Sequence, residues 1–192
     1  MVLTLCREQA IRERAYRIWE QEAHPDGSNN RMHKIAGCVD TARKELEEGE
    51  ARYIAYVTKI MGMFTSNDIS KMSDQTRRNH ISALTKGHKL ALAKRRISIA
   101  EEDVYIYWSY IFHRALRFRM EGKTTPAKKD CNDYEDSYIC LHLHRETAYC
   151  FVTNDEGARR ALEETVSLLA RLNDPQFRTT LNVRNAQHLR DL

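Results

Sequence analysis

The sequence predicts an α/β protein, rich in helix, with a small parallel sheet towards its C-terminus and a helical appendage at its N-terminus. Three observations predict it. The run Ala148-Tyr149-Cys150-Phe151-Val152-Thr153-Asn154-Asp155 is a short apolar stretch that ends on a carboxylate, the pattern of a buried strand. Residues 156–172 then place Ala158, Ala161, Leu162, Val166 and Leu169 at helical spacing, and residues 177–183 form a second apolar run. Strand, helix and strand in that order are the parallel crossover unit. The middle of the chain, by contrast, repeats its apolar residues every three or four positions.

The elements can be justified in chain order. Residues 5–24 read as an amphipathic helix, with Ile11, Ala15, Ile18, Trp19 and Glu22 on one side and Pro25-Asp26-Gly27 as its stop. Its Tyr16 and Trp19 stripe reads as a packing face. Residues 28–31 form a polar linker, which places a boundary between a helical segment, 1–30, and the main domain, 31–192. Helices are expected over 41–64, 73–96 and 99–120, broken at Ser66-Asn67-Asp68 and at Glu121-Gly122-Lys123-Thr124-Thr125-Pro126. Asn173-Asp174-Pro175 stops the helix over 156–172, and residues 185–192 form a closing helix.

Composition bounds the function classes. The chain has 192 residues, enough for one well-cored domain with an appendage, and its 42% apolar and 30% charged residues are those of a soluble globular protein. No stretch is long and apolar enough to span a bilayer, and residues 1–6 lack the basic start and cleavage site of a secretion signal, which points to a cytoplasmic location and no membrane. Cys6, Cys38, Cys131, Cys140 and Cys150 form no C-x-x-C pair, so neither a disulfide framework nor a zinc finger is indicated. His142 and His144 supply two imidazoles without an evident third ligand, so they read as a partly exposed helix side rather than a zinc site.

Acidic residues carry the sharper reading. About twenty residues before Asp155 lies the knot Asn132-Asp133-Tyr134-Glu135-Asp136, at the opening of a helix-like stretch. Ligands gather at the carboxyl ends of parallel strands, so Asp155 facing Asp136 suits a hard cation and its water. Helix capping explains Asp133, Asp136 and Asp155 without any metal, because a carboxylate at a helix start satisfies free N–H groups.

Residues 136–155, with Asp136, an apolar helix, a strand and the ending Val152-Thr153-Asn154-Asp155, resemble the C-terminal half of the PIN-domain ribonucleases. The resemblance covers the last third of the chain. It implies a PIN-like α/β fold, Mg²⁺ or Mn²⁺ held by Asp136 and Asp155, and metal-assisted hydrolysis of RNA, with Asp133 as helper acid. It also implies a first strand ending in an acid, for which Ile35-Ala36-Gly37-Cys38-Val39-Asp40-Thr41 stands, making Asp40 a further metal ligand. Glu101, Glu102 and Asp103 offer the acid of a middle helix, or a favourable helix-dipole contact. At the other end, Ile11-Arg12-Glu13-Arg14-Ala15-Tyr16-Arg17-Ile18-Trp19-Glu20 is similar to a short bacterial domain of unknown function with an Ile-Arg-x-Arg-Ala-Tyr-x-x-Trp-Glu signature.

Two basic clusters complete the reading. Lys86, His88, Lys89, Lys94, Arg95 and Arg96 form one, and Arg114, Arg117, Arg119 and Lys123 the other. Each is either a solvated helix face or a phosphate-tracking surface, with Tyr105, Tyr107, Trp108 and Tyr110 between them as core or as rings for base stacking. Two functions follow: a metal-dependent ribonuclease that binds RNA through Lys94, Arg95 and Arg96, or a non-catalytic binding module. The module would act through nucleic-acid contacts or through a protein partner on the N-terminal helix.

Overall fold

A computed structural model describes residues 11–12, 14–18, 31–126, 134, 136–137, 140, 150–152, 155–172 and 182–184. Its elements are α1 (Arg31–Gly62), α2 (Ser66–Ser70), α3 (Asp74–Lys94), α4 (Glu101–Met120), β1 (Cys150–Val152), α5 (Glu156–Leu172) and β2 (Asn182–Arg184). The chain parts into two compact units, Met1–Tyr53 and Ile54–Leu192, so the division falls inside α1. Of the linker expected at residues 28–31, residues 28–30 lie outside the described residues and Arg31 is the first residue of α1.

In the first unit, residues 11–12 and 14–18 are helical. Ile11 and Ala15, one turn apart, are buried with Cys38 and Ala42 of α1, and Ile18, Val39 and Leu46 pack around them. Arg14 Nε donates to Glu45 Oε2 at 2.9 Å beside this small core. Both partners are exposed, so the pair adds less than about 1 kcal/mol. Apolar burial is what joins the two segments.

The second unit is built around α4. Sixteen of its 20 residues are buried, with polar Glu102, Asp103, Ser109, His113 and Arg114 among them, so the helix is covered on all sides although its sequence is not apolar on all of them. The helices α3 and α5 pack along it, and α2 lies against it. Tyr105, Tyr107, Trp108 and Tyr110 are among its buried residues. The core reading of these aromatics therefore holds, and the base-stacking reading is set aside. α5 turns Ala158, Ala161, Leu162, Leu168 and Leu169 inward, the stripe its sequence spacing calls for.

Capping fixes the short connections. Thr65 Oγ1 accepts from the Asp68 N–H at 3.1 Å while Asp68 Oδ2 accepts from the Thr65 N–H at 2.8 Å, a complete capping box that makes the expected break at 66–68 a five-residue helix. Ser73 Oγ accepts from the Thr76 N–H at 3.1 Å and opens α3.

The expected α/β class is overturned. Helices of 32, 5, 21, 20 and 17 residues dominate the described chain, against two strands of 3 residues each. β1 and β2 pair in parallel, Cys150 opposite Asn182 and Val152 opposite Arg184. A pair of that length is an attachment to a helical body and cannot form the layer of an α/β domain. The first strand expected at residues 35–41 is also overturned, because those residues belong to α1. Buried Cys38, Ala42, Tyr53, Val57 and Ile60 show why: the recurrence is that of a helix once the window extends beyond seven residues.

Candidate functional site

Asp155 closes the N-terminus of α5. Its Oδ1 accepts from the Ala158 N–H at 2.7 Å, and its carbonyl accepts from the Arg159 N–H at 2.9 Å, so the capping reading is met in full. The carboxylate is exposed at the edge of a cleft of about 440 Å³ whose lining includes Arg114, Arg117, Lys123 and Arg160. Glu121 and Glu156 share this lining and pair with Arg117, Lys123 and Arg160, so the charges of the cleft are largely balanced within it.

Asp136 sits in a helical turn with Ser137 and Cys140. Cys140 Sγ lies 3.5 Å from the Asp136 carbonyl, and burial first, then the negative charge of Asp136, raises the thiol far above its ordinary range. An inert, protonated thiol results. Asp133 lies outside the described residues. Asp40 is exposed on α1, 3.6 Å from Arg43 Nη1, in the first compact unit and at no strand end. Among the described residues, no three of His, Cys, Asp and Glu converge as metal ligands, so those residues do not supply a donor set for Mg²⁺ or Mn²⁺.

The two basic clusters separate cleanly. Arg114 is buried and stacks over the Phe118 ring at 4.6 Å, with Lys123 Nζ 4.2 Å from the same ring centroid. Arg117 Nη2 lies 3.7 Å from Glu121, and Arg119 Nε donates to the Phe64 carbonyl at 3.1 Å. This cluster is spent on the protein itself.

The other cluster faces water. Lys86, Lys94, Arg95 and Arg96 are exposed and have no acidic partner among the described residues, while Lys89 Nζ reaches Glu101 at 3.3 Å. From Gln75 to Ala100 the sequence holds seven Lys or Arg and no Asp or Glu. His88, in the same helix, accepts at Nδ1 from the Trp108 indole N–H at 3.0 Å, and burial followed by the charge of Arg95 lowers its pKa below the usual imidazole value. His88 therefore ties the basic helix to the core and adds no charge at neutral pH.

The end of α3 shapes this surface. The Arg96 N–H bonds the Ala93 carbonyl at 3.0 Å and the Ile97 N–H bonds the Leu92 carbonyl at 3.0 Å, the pair of bonds of a Schellman termination. It requires a left-handed residue, and Arg96 provides it at φ 58°. The same motif ends α4, where the left-handed residue is Gly122 at φ 77°. Leu92, Ile97 and Ile99, with Lys89 and Arg96, line a cleft of about 360 Å³ at the α3 end. Sequence reasoning singled out the charges here but not the aliphatic floor, which only the reversal of the chain at Arg96 assembles.

Residues 7–31 match the model of a family described as a protein of unknown function, DUF2934, which bears out the N-terminal resemblance. No curated protein and no solved structure matches the chain. Nothing in these comparisons supports a PIN-like domain.

Proposed function

We propose that the protein is a helical binding module that engages an anionic partner through the exposed basic end of α3. One observation carries the reading: Lys86, Lys94, Arg95 and Arg96 stand in solvent within a 26-residue stretch that contains no acid, while the comparable cluster on α4 is engaged internally. Uncompensated charge of one sign raises the local concentration of an oppositely charged partner and speeds its arrival. The hydrolytic alternative, with a metal on Asp136 and Asp155, has no comparable support, because Asp155 is committed to capping α5.

Retention of the full chain on immobilised heparin tests the reading. The wild type should bind at low salt and elute as the ionic strength rises, since screening removes the attraction. The combined substitution Lys94→Ser, Arg95→Ser and Arg96→Ser should elute at clearly lower salt with an unchanged circular dichroism spectrum. Equal elution of wild type and variant refutes the proposal.

A further inference from the structure

Building on that reading, we infer that the partner is a short acidic protein segment that seats an aliphatic side chain in the cleft at the end of α3. The cleft joins two features that a plain phosphate-tracking surface does not need. Its floor is aliphatic, made by Leu92, Ile97 and Ile99, and Ile97 keeps 47% of its surface in water. One turn before Lys94, Leu90 is 63% exposed. Its rim is cationic, with Arg96 in the lining and Lys94 and Arg95 in the same turn, while Lys89, also in the lining, is paired with Glu101. The floor gains by taking up an apolar side chain, and the rim gains by meeting carboxylates on either side of it.

Nucleic acid fits the rim but not the floor. Binding of unpaired bases relies on aromatic rings as stacking platforms. The cleft lining contains none, and Tyr105, Tyr107, Trp108 and Tyr110 are buried in α4. A polynucleotide would leave Ile97 in contact with water or phosphate. An acidic segment with a central Leu or Ile covers it.

Arg96 gives the inference a second footing. The Schellman position favours glycine, as Gly122 shows at the end of α4, yet here it carries a long cationic side chain that lines the cleft. The left-handed backbone at Arg96 thus places a cationic side chain at the edge of the aliphatic floor, where glycine would place none.

Fluorescence anisotropy on the full chain, with three labelled probes, distinguishes the partners. The first is a twelve-residue peptide of Asp and Glu with two central Leu; the second replaces both Leu by Ser; the third is a twelve-nucleotide uridylate RNA. The Leu peptide is expected to bind about tenfold more tightly than the Ser peptide, the effect of burying one aliphatic side chain. Ile97→Ser should erase that difference and leave the Ser peptide unaffected, whereas Lys94→Ser with Arg95→Ser should weaken both peptides alike. The comparison between peptides needs no protein variant, so it holds even if a substitution disturbs folding. Equal binding of the two peptides overturns the inference. RNA bound more tightly than the Leu peptide, and indifferent to Ile97→Ser, also overturns it while leaving the basic surface intact. Failure of every probe to bind at low salt overturns both.

Discussion

At Arg96 the backbone adopts φ 58°, a region that costs a side-chain-bearing residue about 1–2 kcal/mol relative to glycine. Substituting glycine relieves that strain but enlarges the freedom of the unfolded chain, which returns part of the gain. Arg96→Gly is therefore expected to stabilise the protein by about 1 kcal/mol net, seen as a melting temperature about 2–4 °C higher. The same variant should be held less tightly on heparin. A variant that is less stable than the wild type would mean that the Arg96 side chain holds the helix end together, and the argument from strain would fail. Asp155 allows a second test at this scale. Because its Oδ1 caps the Ala158 N–H, Asp155→Ala should cost about 1 kcal/mol while Asp155→Asn, which keeps a capping oxygen, should cost much less. Urea denaturation of the two variants measures the difference, and equal losses would show that the charge, and not the cap, is what Asp155 contributes.

Among the elements, α5 places Gly157 directly against the side chain of Arg114 on α4. A Cβ at Gly157 would overlap the guanidinium of Arg114, which is buried and stacked on Phe118. Gly157→Ala should therefore destabilise the protein by about 1–3 kcal/mol, against the small gain that alanine brings at an open position of a helix. A denaturation midpoint equal to or above that of the wild type would show that Arg114 moves aside without cost. This packing also explains what the sequence disclosed. The bounds of α5 were legible to the residue, and α3 and α4 nearly so, because polar caps and apolar stripes are local signals. The first part of α1 was misread, since a window of seven residues from Ile35 to Thr41 cannot separate a strand from one buried turn of helix. The two basic clusters looked equivalent for a different reason. What distinguishes them lies far away in sequence: Arg119 is satisfied by the carbonyl of Phe64, a partner no local pattern announces. The acidic candidates are ambiguous in sequence for a related reason: Asp155 looks the same whether it caps a helix or holds a metal.

For the molecule as a whole, the response to acid turns on a polar group sealed inside the second unit. Ser109 Oγ donates to Thr165 Oγ1 at 3.0 Å, and Thr165 Oγ1 donates to the Ala161 carbonyl at 2.9 Å. Both hydroxyl protons are thereby used. His113 Nδ1, 3.3 Å from Ser109 Oγ and 3.4 Å from Thr165 Oγ1, must then carry the ring proton and donate it to them. A second proton is refused: burial first, then the charge of Arg77, depresses the His113 pKa to about 3, against 6.5 for a free side chain. A depressed histidine pKa means that the unfolded chain takes up the proton first as pH falls, so the stability is complete above about pH 6.5 and declines towards pH 3. The slope from this one group is about 1.4 kcal/mol per pH unit, or about 2 kcal/mol between pH 6.5 and pH 5. Neighbouring groups set the window. His88 acts in the same direction, whereas Glu164, raised by burial and 3.9 Å from His113 Nε2, acts in the opposite one as it protonates. Asp74, lowered by its hydrogen bond to Arg171, adds a loss only below its ordinary value of 3.8. His113→Asn keeps an N–H donor for the two hydroxyls and removes the titration. It should be less stable than the wild type at pH 7, because a smaller side chain leaves space in the core. Between pH 6.5 and pH 5, however, it should lose about 2 kcal/mol less than the wild type does, as measured by urea denaturation at each pH. Equal losses in the two proteins would place the acid sensitivity elsewhere.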